Sequence, residues 1–334
     1  VYGSSDNQSE AKQIADIIHR KYSRDEYDNV AVLYRTNAQS RSFEEAFLRN
    51  SIPYRIVGGV KFYARKEVKD LLSYMRLVLN PNERVSFERV SKIGKRRYDQ
   101  FNIWREGLSQ LAVTLTPLET LDQIIIATKY KDFFDPHDLE DISRLENIEE
   151  LRAVGSQFQS IQEFLENVAL VDGSANSQRD MADNPQQKSD EPAVTLMSLH
   201  SSKGLEFETV FLVGMEEGLF PHSRSFMDPH QMEEERRLCY VGITRAKQRL
   251  YITYAQQRFT MGSTMPSIMS RFIREIPEEL LQIEEADAWF EYLEATRAQS
   301  EKRYGEVEPW AWARLNQRLR AVRARRTRLR PAAA

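Results

Sequence analysis

The sequence predicts an α/β protein, a parallel sheet whose chain is interrupted by an all-helical insertion. Three observations carry that expectation. Short apolar runs alternate with amphipathic helical stretches over residues 1–81. Strand-like runs then vanish between 82 and 170, where helical stretches dominate. They return at 193–276, after a polar stretch with no period.

The elements follow in order. From Ser9 to Tyr22, apolar Ala11, Ile14, Ala15, Ile17 and Ile18 recur at helical spacing. VAVLYR (Val30–Arg35) is a short apolar, partly β-branched run suited to a buried strand. SFEEAFLR reads as a short helix and IPYRIVGG as a strand broken by Gly58 and Gly59. KEVKDLLSYMRLVLN is an amphipathic helix stopped by Pro81. The insertion, 82–170, is built from stretches such as FERVSKI, RYDQFNIWREGL, LETLDQIIIATKY and the long run from Ser143 to Leu170. Residues 171–192, rich in Ser, Asn, Asp and Gln, read as a linker. VTLMSLHS, TVFLVGM and RLYITYA then supply further strands. No internal repeat is found.

Composition narrows the function classes. No apolar run approaches the roughly 20 residues of a membrane span, and the N-terminus has no signal-peptide pattern. A single cysteine, Cys239, excludes an internal disulfide, and the five histidines lack metal-ligand spacing. A reducing, cytoplasmic setting without a membrane partner is the expectation. The net charge of −3 conceals an asymmetry, because residues 311–334 hold eight arginines and no acid. Residues 277–334 therefore read as helical, then as an arginine-rich disordered tail. That tail is open to two readings, a polyanion-binding segment or a non-native scar ending in PAAA. The first residues, VYGSSDNQSE, begin mid-pattern, so the chain is expected to be the C-terminal portion of something longer.

Two constellations could carry chemistry. The first is HSSKGLEF (His200–Phe207), which turns off the end of a strand-like run. Ligands of α/β proteins bind at the C-terminal edge of a parallel sheet. There Glu206 could accept ribose hydroxyls while His200 and Lys203 face phosphates. A turn permitted by Gly204, with solvated charges, fits the same residues. The lysine precedes the glycine, which is not the order of a G-x-x-x-x-G-K-[ST] phosphate loop. The second constellation, MEEERRLCYVGITRAKQRLYITYA (Met232–Ala255), begins with acids and continues with bases, as a helix dipole favours. Arg245 falls near the end of that helix. A guanidinium there suits bidentate bonds to phosphate oxygens, and it equally suits bonds to the helix's own carbonyls.

Together these segments resemble a known family. TLMSLHSSKGLEFETVFLVGMEEGLFPHSRS is similar to motif V of the UvrD/Rep/PcrA family of superfamily 1A DNA helicases, and EEERRLCYVGITRA resembles its motif VI. The run from Val30 to Pro81, opening VAVLYRTNAQSRSFEEAFLRN, resembles its motifs IVa and IVb. The ordered resemblance covers roughly Val1 to Ile276. It implies a second RecA-like domain, split into 1–81 and 193–276, around an inserted helical 2B-like domain. It also implies roles. Arg245 would be an arginine finger on the γ-phosphate. Glu206 would contact the ribose, with Lys203 and Gly204 completing the turn beside the nucleotide. Arg35, Asn37, Arg41 and His200 would hold single-stranded DNA. SKIGKRRYDQFNIWRE only loosely resembles the family's helix–turn–helix element that touches duplex DNA. Lys95 and Arg96, with Lys92 and Arg97, would hold phosphates there, and a solvated basic turn fits equally. Phe259 is a further candidate for base stacking.

The expected activity is that of an ATP-dependent 3′–5′ DNA helicase acting at single-strand/duplex junctions. This chain departs from the full family pattern in several respects. Its inserted region is short for the family, the aromatic residues after motif VI differ in place, and the chain lacks two motifs. It contains no G-x-x-x-x-G-K-[ST] and no acid pair ending a strand, so the phosphate loop and the Mg²⁺ ligands are expected on a first RecA-like domain, the chain's expected partner. No metal ligand is assigned to the chain itself. Two further readings differ in kind. One is a motor-less module that binds single-stranded DNA, for which a finger arginine is superfluous. The other is part of a helicase–nuclease, for which no clustered Asp/Glu/Lys pattern is present.

Overall fold

The structure, a computed structural model, describes residues 1–111, 115–177, 191–260, 263–276, 303, 307–317 and 319–320. The chain divides into two compact units, Val1–Met269 and Ser270–Ala334.

The first unit opens with β1 (Tyr2–Ser4), α1 (Asn7–Lys21), β2 (Val30–Tyr34), α2 (Ser40–Arg49), β3 (Tyr54–Val57) and α3 (Lys66–Leu79). Five helices follow: α4 (Arg84–Ile93), α5 (Lys95–Leu111), α6 (Pro117–Thr128), α7 (Leu139–Gly155) and α8 (Ile161–Ser177). The chain then returns through β4 (Val194–Ser198), β5 (Phe207–Leu212), α9 (Pro229–Ile243) and β6 (Ala246–Ala255). Local signals explain several of these boundaries. Asp6 caps α1 by accepting from the Ser9 amide at 2.8 Å. Thr116 and Glu119 form a capping box on α6, with Pro117 at its first turn. Asp228 caps α9 by accepting from the His230 amide at 2.8 Å, again ahead of a proline in the first turn.

The six strands form one sheet in the order β1-β6-β5-β2-β4-β3, and every pairing is parallel. This is the α/β, RecA-like sheet the sequence predicts. Strand β2 lies at its centre and all five of its residues are buried, because helices cover both faces of such a sheet. Ile14 and Ile18 of α1, Phe43 and Phe47 of α2, Leu196 of β4 and Phe211 of β5 share its core. The β2 residues pair with β4 on one side and β5 on the other, Leu33 opposite both Met197 and Leu212. The C-terminal ends of these three strands therefore lie side by side.

The helical region has its own core, formed by Val90, Phe101, Leu121, Ile124, Ile148, Leu151, Phe164 and Val168. Leu71, Tyr74 and Met75 of α3 belong to it as well. The periodicity of α3 announces an apolar face without saying which neighbour covers it, so a division at residue 81 cuts through this shared core. Helix α8 runs on to Ser177, into the stretch read as a linker from 171, while 178–190 lie outside the described residues.

Beyond β6, the strands β7 (Gln257–Thr260) and β8 (Ser263–Pro266) pair antiparallel. Arg258 of β7 closes the edge of the sheet. It donates to Glu216 at 2.6 Å and 2.8 Å and to Glu10 of α1 at 2.7 Å. Both carboxylates are 1% exposed. They also accept main-chain amides, Gly214 on Glu10 at 3.0 Å and Ala255 on Glu216 at 2.6 Å. Burial alone would lower the Arg258 pKa, but the two carboxylates outweigh it and hold the guanidinium protonated.

In the second unit the described residues include α10 (Arg271–Arg274) and helical residues 307–317, with Leu315 and Leu319 buried. Most of the arginine-rich tail lies outside the described residues.

Replacing Arg258 with alanine leaves two buried carboxylates facing each other without a counter-charge. The expected cost is about 3–5 kcal/mol in urea unfolding, the range for breaking one side of a buried pair. A loss below about 1 kcal/mol, the scale of an exposed pair, would contradict this account of the sheet edge.

Candidate functional site

The site begins at the C-terminal ends of β2 and β4. The turn after β4 carries the chain back to the opposite edge of the sheet. There Glu206 and Arg245 precede the first residues of β5 and β6, rather than lying at the C-terminal edge expected for Glu206. The Leu199 amide donates to the Tyr34 carbonyl at 2.8 Å, continuing the β2–β4 pairing past its last strand residue. His200 then begins a single 3-10 turn, Ser202 closes it by donating its hydroxyl to the Leu199 carbonyl at 2.7 Å, and Lys203 leads into Gly204. Gly204 has φ +85°, in the left-handed region that favours glycine, and open space surrounds it. Lys203 and Glu206 are exposed on either side of it, and neither has an ion-pair partner among the described residues.

Arg245 sits just past the last turn of α9. Its guanidinium donates from Nε to the Val241 carbonyl at 3.0 Å, from Nη1 to the Leu205 carbonyl at 3.0 Å and from Nη2 to the Thr244 hydroxyl at 3.1 Å. The Phe207 amide donates to the Arg245 carbonyl at 2.9 Å. The two constellations that the sequence places forty residues apart are thus joined, Arg245 lying against the residue before Glu206. Both readings of Arg245 meet here. It does satisfy a helix carbonyl, yet all three partners are neutral oxygens, which an anion can displace at lower cost than a carboxylate. Helix α9 approaches closely because Gly242 is buried against the sheet, where a Cβ would stand 2.6 Å from a methyl of Leu199 and 3.2 Å from one of Leu212.

The residues expected to hold single-stranded DNA divide. Arg35 follows β2, its amide donating to Gln39 Oε1 at 3.0 Å, and its guanidinium is paired with Glu235 of α9. Asn37 donates to the Ser143 hydroxyl of α7 at 3.3 Å. His200 is exposed beside this group. Partial desolvation of its ring, then the positive charge of Arg35, hold its pKa below the ordinary histidine value, with Glu235 partly opposing. Arg41 differs from expectation. It is 1% exposed and donates to Glu45 at 2.9 Å and to Glu150 of α7 at 2.6 Å. Its Nη2 is buried without a hydrogen-bond partner, so in this conformation the side chain is shut off from the surface and ties α2 to the helical region.

Lys95 and Arg96 are exposed in the first turn of α5, and Lys92 is exposed in the last turn of α4 across Gly94. They form a basic turn between two helices. Arg97 points elsewhere, its guanidinium lying 3.6 Å from the centre of the Phe133 ring. The Phe259 side chain lies outside the described residues.

Sequence reasoning missed Glu235, which it read only as one of several acids at a helix start. It also missed His222, whose amide donates to Glu235 at 3.0 Å and whose Nε2 lies 3.1 Å from Glu146 of α7. No spacing rule links residues so far apart in the chain.

The arrangement offers a cation held by displaceable neutral oxygens, a carboxylate without an ion-pair partner among the described residues and an open glycine turn at a sheet edge. It does not fit a metal site, since no group of three His, Cys, Asp or Glu could hold an ion among the described residues. Nor is any described helix long and apolar enough to cross a membrane. Replacing Arg35 with glutamine should raise the His200 pKa, because it removes the charge that lowers it and leaves Glu235 to raise it. Titration of the ring by NMR reads this directly, and an unchanged or lower value would contradict the placement of these charges.

Comparison with known proteins agrees with the geometry. The family model for the UvrD-like helicase C-terminal domain matches residues 1–134 and 114–257. The chain is 40% identical over 331 aligned positions to the ATP-dependent DNA helicase PcrA of Bacillus subtilis, covering 84% of this chain and 44% of that protein. It is 38% identical to the PcrA helicases of Staphylococcus epidermidis and Staphylococcus aureus, covering 84% and 80% of this chain and 44% and 42% of theirs. The chain therefore spans less than half the length of the curated relatives it matches. With both strand-bearing segments matched, and with the motif V-like turn bonded to the motif VI-like helix, the chain belongs to the UvrD-like helicase C-terminal domain family.

Proposed function

We propose that this chain is the second motor domain, with its helical insertion, of an ATP-dependent 3′–5′ DNA helicase. In this reading it supplies one wall of a nucleotide cleft and part of a single-stranded DNA track. The observation that carries the proposal is the bond from Arg245 to the Leu205 carbonyl, which sets a cation without a carboxylate partner beside the exposed Glu206. The track would be formed by Arg35, Asn37 and His200, and the junction contact by Lys92, Lys95 and Arg96. Arg41 takes no part in it.

The chemistry these residues can perform is positional. ATP would bring the scissile phosphoanhydride, and with it the phosphate loop and Mg²⁺ of a first RecA-like domain. Glu206, on its open turn, is placed to accept hydroxyl protons of a ribose. Arg245 can exchange its neutral acceptors for phosphoryl oxygens without breaking an ion pair. A guanidinium so placed stabilises charge on a phosphoryl group in flight, an effect worth roughly 10³–10⁵ in rate in other NTPases. Contacts from Arg35, Asn37 and His200 to the DNA backbone would fix register without reading base sequence. A module that only bound DNA would have no use for the exposed Glu206 beside Arg245.

Two outcomes test the reading. The purified chain should hydrolyse no ATP, with or without single-stranded DNA; DNA-stimulated turnover would contradict the assignment of half a site. Joined to a first RecA-like domain from a PcrA relative, the Arg245→Ala variant should lose about 10³-fold in turnover, in keeping with other arginine fingers, with DNA affinity unchanged. Survival of turnover would remove Arg245 from the chemistry.

A further inference from the structure

The DNA-facing arginine of this site is already occupied by a carboxylate, and that carboxylate stands on the helix that carries Arg245. Arg35 donates to Glu235 from Nε at 3.0 Å and 3.1 Å and from Nη2 at 2.7 Å, a bidentate geometry that a phosphate could also satisfy. The pair is only partly enclosed, the side chains being 20% and 10% exposed, so an anion can reach the guanidinium. Among the described residues, Glu235 also accepts the His222 amide at 3.0 Å. From Glu235, α9 runs eight residues to Ile243, roughly 12 Å of helix, and Arg245 follows two residues beyond its end.

We propose that Glu235 is a positioning residue that holds the phosphate seat on Arg35 while no nucleic acid is bound, and that a backbone phosphate of single-stranded DNA displaces it. Displacement leaves Glu235 with the neutral His222 amide and loosens the first half of α9. The setting of α9 against the sheet, and so of Arg245 at its far end, then depends on whether the track is filled. The opposing charges around the pair are few. His200 lies beside it, His222 approaches Glu235 through its amide, and Glu146 of α7 faces the His222 ring. This inference rests on the DNA track proposed above.

The test uses the full chain and an oligothymidylate probe. Glu235→Gln keeps the shape and removes the competing charge. It should tighten binding about fivefold, the scale of a partly exposed ion pair. It should also steepen the fall of log affinity with log salt by up to about 0.7, because Arg35 then carries counterions that DNA releases. In the Arg35→Gln background the same change should do nothing to affinity or slope. Amide exchange in the first half of α9 should quicken when DNA is added to the unaltered chain. In Glu235→Gln it should be quick from the start and show no further response. Glu235→Ala, read the same way, guards against a local effect of the glutamine amide. If Arg35→Gln weakens binding but Glu235→Gln leaves affinity, slope and the α9 response unchanged, the gate is wrong and the track stands. If Arg35→Gln does not weaken binding, the track itself fails and the gate falls with it.

Discussion

The contact on which the site depends is the pair of bonds between the end of α9 and the turn after β4. Arg245 Nη1 holds the Leu205 carbonyl, and the Arg245 carbonyl receives the Phe207 amide. The second bond starts the β5–β6 pairing, so the sheet register and the position of the guanidinium are set together. Moving β6 along β5 would carry Arg245 away from Glu206. Packing enforces the same arrangement from below, where the bare Cα of Gly242 lets α9 lie on Leu199 and Leu212. The strength of the site lies in its rigid scaffold, and its availability lies in the weakness of the bonds that hold Arg245 at rest. Neutral acceptors cost about 1 kcal/mol each to exchange, whereas a buried carboxylate would have cost several.

The arginines of this chain show how partner and burial decide what one residue type can do. Arg258 is fixed between Glu10 and Glu216 at the sheet edge, and Arg41 between Glu45 and Glu150 under α7. For Arg41, burial pulls the pKa down, and the two carboxylates more than restore it, so the charge stays and is spent on structure. Arg35 has one carboxylate and partial exposure, which makes its pairing exchangeable. Arg245 has no carboxylate among its bonding partners. The order from Arg258 to Arg245 is one of decreasing neutralisation.

Much of the fold could be read from residue order, because it is written locally. The fully buried β2 run, the cap residues of α1, α6 and α9, and the glycine turn at 204 act within a few residues of themselves. The meeting of HSSKGLEF with ITRA was legible only through the family resemblance. What stayed hidden is carried by side chains distant in sequence. Arg35 meets Glu235 across 200 positions and Arg41 meets Glu150 across 109, and no period encodes either pairing. In LYRTNAQSR, Arg35 and Arg41 look alike. One lies at the end of a strand and the other in the first turn of α2, turned into the core, and that difference of placement separates them. The shared core of α3 with the later helices was hidden for the same reason.

The central claim is that this chain completes a nucleotide site whose phosphate loop lies on another domain, and that Arg245 responds to the charge of the transferring phosphoryl group. The most direct measurement is the affinity of this chain for the first RecA-like domain of a PcrA relative loaded with ADP, compared with the same domain loaded with ADP and aluminium fluoride. Interactions made only in the transition state should tighten the complex with the fluoride analogue and not with ADP. The account predicts such a difference in the unaltered chain and its loss in Arg245→Ala. Equal affinity for both loaded forms would contradict it.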